Sequence, residues 1–81
     1  MNQRDQAKQL HNLADMCRVE DHPLADKTAH IIHTIASNVA CGYLEMAKST
    51  ARGLVHAFKT TKILRGLDPT YAEMTAQIVG E

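Results

Sequence analysis

Five histidines and two cysteines carry most of the chemistry this sequence could perform. His30 and His33 are three residues apart, so they share one face of a helical segment. With Cys41 or His22 they suggest a divalent metal such as Zn²⁺. That spacing supplies two ligands at most, and no Cys-x-x-Cys or His-Glu-x-x-His pattern accompanies it. The histidines therefore read as hydrogen-bonding and structural groups, with no metal and no cofactor. His11 and His56 stand alone in the sequence. Any of the five could make an interface sensitive to mild acid. Cys17 and Cys41 fall among apolar helical positions, where thiols are commonly buried and inert. There is no glycine-rich phosphate loop, no Gly-x-Ser-x-Gly and no recognisable carboxylate pair. The expectation is a protein that is not an enzyme.

The second chemical feature is a run of cations. From Met46 to Gly66 there are five basic residues and no acidic one: Lys48, Arg52, Lys59, Lys62 and Arg65. At 100° per residue the segment divides into three faces. Ala47, Ala51, Leu54, Val55 and Phe58 form an apolar face. Lys48, Arg52, His56, Lys59 and Lys62 form a basic stripe along its edge. Ser49, Gly53, Ala57 and Thr60 form a face of small residues that lets another helix approach closely. The stripe is the candidate site for an anion or an acidic partner. Ser49, Gly53, Leu54, Ala57 and Phe58 are the candidate self-association residues. The plain alternative is a solvated face whose Lys and Arg stems cover apolar edges.

These groups must be positioned by helices, since nearly every apolar signal has helical period. Ala7, Leu10, Leu13, Ala14 and Cys17 mark a first helix from about Gln3 to Val19, capped by Asn2. Glu20-Asp21-His22-Pro23 stops it. A second helix is expected from Pro23, capped by Asp21 or His22, with Ile32, Ile35, Ala36 and Val39 on one face. Tyr43, Met46 and Ala47 continue that phase, and Ala51, Leu54, Val55 and Phe58 repeat it. A single helix from Pro23 to Arg65 would be about 65 Å long, so a break at Gly42 is the preferred reading. Gly66 would end that segment as a C′ glycine. Asp68-Pro69 reads as the cap and first turn of a last helix, with Tyr71, Met74, Thr75 and Ile78 on one face.

The chain has 81 residues, nine Lys+Arg against nine Asp+Glu, and only three aromatic residues. Residues 1–81 form one domain. The fold class is all-α: three to four helices, a helical hairpin or small bundle completed by self-association, because a core of this size is marginal alone. Zero net charge and the absence of interleaved aromatics argue against a nucleic-acid groove. A helix-turn-helix over 59–79 is weak because the last helix has no Lys or Arg. No apolar run reaches the roughly 18–20 residues of a membrane span, and none near the N-terminus reads as a secretory leader. Two cysteines make no disulfide framework, which points to the cytoplasm. In a hairpin turning near residue 22, Cys17 and Cys41 lie about 21 Å apart along the axis, too far to bond to each other.

In the first half of the chain, His22-Pro23, Asp26-Lys27 and Gly42-Tyr43 give a faint resemblance to phage helical-hairpin proteins that sequester cyclic oligonucleotides. Residues 59–81 have no counterpart in it. The resemblance implies a nucleotide ligand and adds weight to that alternative only. The leading expectation is a small, non-enzymatic helical binding protein. It self-associates and occupies a macromolecular partner as an accessory regulator or inhibitor, of a kind phages encode. The alternative is a binder of nucleotides or other small phosphorylated ligands through the stripe at 48–62.

Overall fold

The computed structural model describes residues 2–80. It contains four α-helices: α1 (Gln3–Arg18), α2 (Ala25–Ala40), α3 (Leu44–Thr60) and α4 (Thr70–Val79). A single 3₁₀ turn, Lys62–Leu64, stands between α3 and α4. No strand occurs among the described residues. The whole measures 33 × 23 × 16 Å, half the length of an unbroken 23–65 helix. α1 and α2 make the most extensive contact; α3 packs on α2, and α4 packs on α3 and α1.

Local chemistry sets each boundary. Asn2 Oδ1 accepts the Asp5 N–H at 2.8 Å and starts α1. α2 ends in a Schellman turn. The Gly42 N–H reaches Val39 O at 3.0 Å and the Tyr43 N–H reaches Asn38 O at 2.8 Å. Gly42 carries φ +83°, a conformation that costs any side chain. The expected break is therefore present. The Asp68 carboxylate accepts the Thr70 N–H at 2.9 Å just before α4, which starts at Thr70 with Pro69 as its N-cap, one residue later than expected.

The start of α2, its cap and the end of α3 also differ from the expectation. α2 begins at Ala25 rather than Pro23. No side chain caps α2 at its Leu24 N-cap; His22 instead accepts the Leu24 N–H just before the helix. α3 ends at Thr60, where Thr61 turns extended, so Gly66 closes the following turn and not the helix. Tyr43 and Met46, expected on the apolar face, are 61 % and 59 % exposed, because the Schellman turn resets the helical phase. In α4 the buried residues are Ala72, Thr75 and Val79, and Met74 faces outward.

The core matches the periodicity elsewhere. Ala7, Leu10, Leu13, Ala14 and Cys17 of α1 are buried, as are Ile32, Ile35, Ala36 and Val39 of α2. Ala47, Ala51 and Leu54 of α3, with Leu67, close it. The many alanines let the helices approach closely. Thr75 is fully buried and donates its hydroxyl proton to Tyr71 O at 2.7 Å, so it enters the core without an unpaired group.

Candidate functional site: the cationic edge of α3

The predicted stripe lies along one edge of α3, but its members have different surroundings. Lys48 is half-buried, with its Cε 3.9 Å from where a Cβ on Gly80 would stand. That places its stem over the C-terminal end of α4, where a positive charge is favoured. Arg52, His56 and Lys59 are exposed and line one wall of a groove completed by Val55 and Ala76, about 420 Å³ in volume. At the end of α3 lies a separate cleft of about 470 Å³ that shares Lys59 with the groove. Lys59, Lys62 and Arg65 line it, together with Phe58, Thr60, Thr61, Gly66, Leu67 and Pro69. No carboxylate lines either space.

Among the described residues, Lys48, Lys59, Lys62 and Arg65 are held in no ion pair. From Lys48 to Lys59 the edge runs about 16 Å along the helix. Negative charge is not distant from it. Glu73 of α4 lies beside Lys59 in a small recess with Val55, Phe58, Pro69 and Ala72. Asp68 is committed to its cap, and the Thr70 N–H holds its carboxyl below the ordinary value of 3.8.

The self-association set divides. Ser49 and Gly53 are exposed and Ala57 is half-buried; a Cβ on Gly53 would meet nothing within 4 Å. The small face is thus uncovered in the single chain. Leu54 is only 6 % exposed and Phe58 packs against the core, so both are used within the chain rather than offered to a second copy. They lie on the wall that α3 turns toward its own neighbours.

The histidines pair in a way the spacing did not suggest. His30 is exposed, so it does not act with His33. His33 instead meets His11 across the α1–α2 hairpin, Nδ1 to Nδ1 at 2.7 Å. Its Nε2 lies 3.3 Å from Asp15 Oδ1. A neutral His33 that donates Nε2–H to Asp15 has its Nδ1 free to accept the Nδ1–H of His11. The signal was present: a hairpin turning at residue 22 places residues 11 and 33 opposite one another. No group of three or more potential metal ligands assembles among the described residues.

Both cysteines are free. Cys17 is buried, as expected, and burial, with Glu20 nearby, pushes its thiol above 9.0. Cys41 is exposed, against expectation, because it lies at the helix end that the Gly42 turn lifts away from the core.

Two further tethers run to the end of α1 and the α1–α2 connection, one from the turn that carries Lys62 and Arg65 and one from α4. His22 Nε2 lies 3.0 Å from Arg65 O. The Tyr71 hydroxyl donates to Glu20 Oε1 at 2.9 Å, with Met16 O at 3.4 Å. Desolvation and the Glu20 carboxylate push the Tyr71 phenol up to about 12.

No helix among the described residues is long and apolar enough to cross a membrane. Comparison of the chain with protein-family models, with curated proteins and with solved structures gives no match.

Proposed function

We propose that this chain is a non-enzymatic binding protein that docks its cationic α3 edge against an acidic surface of a macromolecular partner. The observation that carries the reading is the length of the edge. Along it Lys48, Lys59, Lys62 and Arg65 are held in no ion pair among the described residues, and no carboxylate lines the groove or the end cleft. A span of about 16 Å on α3 alone exceeds one small anion and suits an extended surface. Complementary charge of this kind sets approach rate and register more than raw affinity. Self-association through the uncovered Ser49–Gly53–Ala57 face is part of the proposal, since a chain this small gains burial from a second copy. Free thiols fit the reducing cytoplasm as its place of action.

A second reading rests on the end cleft. Its volume of about 470 Å³ falls in the range of small-molecule sites. Lys59, Lys62 and Arg65 there could hold a phosphorylated small ligand.

Two probes separate the readings: poly-glutamate as an acidic macromolecule and inorganic tripolyphosphate as a small anion. Docking along the whole edge predicts that poly-glutamate binding falls with either Lys48→Glu/Arg52→Glu or Lys62→Glu/Arg65→Glu. The small-ligand reading predicts tight tripolyphosphate binding that only the second pair removes. A wild-type protein that binds neither probe at low salt defeats both, leaving a solvated face.

A further inference from the structure

The turn that brings Lys62 and Arg65 to the end cleft packs on the core through Leu64 and Leu67 and is hydrogen-bonded to the α1–α2 connection through one imidazole. His22 stands between α1 and α2, half-buried. Its Nδ1 accepts the Leu24 N–H at 3.0 Å, and its Nε2 lies 3.0 Å from the carbonyl oxygen of Arg65, 43 residues away. A backbone N–H only donates and a carbonyl only accepts. The two partners therefore leave one arrangement: neutral imidazole, lone pair on Nδ1, proton on Nε2. The ring also packs on the turn itself. Its Cδ2 lies 3.7 Å from where a Cβ on Gly66 would stand, and Gly66 has φ +96°. The chain thus reverses against the edge of the ring, one residue after the carbonyl it holds.

We infer that His22 is a positioning residue for the cationic cleft: by fixing the Arg65 carbonyl and seating the Gly66 reversal, it sets where the Lys62 and Arg65 charges stand relative to Lys59. This rests on the reading of the end cleft as an anion site. His22 lines neither the groove nor the cleft, so it acts through the turn rather than by touching a ligand. Other contacts hold the turn by packing: Leu67 is buried against the core, and Leu67 N–H reaches Leu64 O at 3.1 Å. His22 supplies the long-range polar link that aims it.

Three variants separate hydrogen bonding from packing. His22→Phe keeps a ring edge against Gly66 and loses both hydrogen bonds. His22→Gln keeps a donor that can reach Arg65 O. His22→Ala loses everything. With tripolyphosphate as the probe, His22→Phe and His22→Ala should bind about fivefold to tenfold more weakly than wild type, the worth of one hydrogen bond. His22→Gln should recover part of the loss. Two readouts do not depend on the ligand. The imidazole ¹⁵N shifts of His22 should report the proton on Nε2, and the Arg65 and Leu67 amides should exchange faster in His22→Phe than in wild type. Equal affinity of His22→Phe and wild type overturns the inference, as does a proton on Nδ1. If wild type ignores tripolyphosphate, the binding reading of the cleft fails. Unchanged amide exchange in His22→Phe would then overturn the tether separately.

Discussion

Replacing Tyr71 by Phe tests how α4 is held to the first hairpin. The substitution removes one hydroxyl and leaves the ring. The lost hydrogen bond joins the phenol to Glu20 Oε1 at 2.9 Å across 51 residues of sequence. A hydrogen bond to a charged acceptor contributes about 1.5–3 kcal/mol when sheltered. This one is exposed, so solvent screening reduces it to about 1 kcal/mol. For a chain of this size that is a fall in Tm of about 4–8 °C. Desolvation of the phenol, together with this contact, has a pH signature. The folded protein raises the phenol from 10.0 to about 12, so it holds that proton more tightly than the unfolded chain. The stabilisation is complete below pH 10 and is lost as pH rises from 10 to about 12. Urea denaturation of wild type and Tyr71→Phe should therefore show a constant gap at neutral pH that narrows above pH 10. Taking the difference between the two proteins cancels the ionisation of lysines. Glu20→Gln completes a double-mutant cycle, and its coupling with Tyr71→Phe should account for most of the gap. A gap that is absent at pH 7, or that widens between pH 10 and 12, refutes the assignment of Tyr71 as a proton donor to Glu20.

Three other outcomes follow from the same structure. Ile35→Ala, at a fully buried position of α2, should cost about 2–5 kcal/mol by urea denaturation. Gly42→Ala forces a side chain into φ +83° and should destabilise by about 1–2 kcal/mol, whereas Gly53→Ala, helical and facing open space, should stabilise the single chain by about 0.5–1 kcal/mol; thermal melts of the two variants give the signs. The folded chain holds the Asp68 carboxyl below its ordinary 3.8, so its contribution is complete above that pH and is lost as pH falls below it through the lower folded value; Asp68→Asn should flatten that part of the acid-unfolding curve.

Helix placement was legible because each signal is local. Asn2, the Gly42 turn and the Asp68-Thr70 cap act over two to five residues, and their chemistry is written in consecutive side chains. The apolar periodicity of Ala7 to Cys17 and of Ile32 to Val39 identified the buried faces of α1 and α2 for the same reason. The cations of residues 48–65 were also visible as a run of one sign. What remained hidden depended on phase and on partners. The Schellman turn resets the helix by an angle that periodicity through Gly42 does not register, so Tyr43 and Met46 came out exposed. Thr61 leaves the helix although Lys62 and Lys59 fit its wheel, because the turn to Leu67 and α4 takes over.

The sequence by itself determined an all-α chain, its helical segments, its main breaks and a cationic edge, since propensity, capping and period are properties of neighbouring residues. Only the tertiary structure decided which distant groups meet. The antiparallel register of α1 and α2 brings His11 to His33 and leaves His30 in solvent. The packing of α4 turns Leu54 and Phe58 inward and leaves Ser49 and Gly53 uncovered. The return of the chain after α3 places the Arg65 carbonyl on His22. Each of these contacts links residues far apart along the chain, and no local preference encodes a distance between elements that are positioned only when the common core closes.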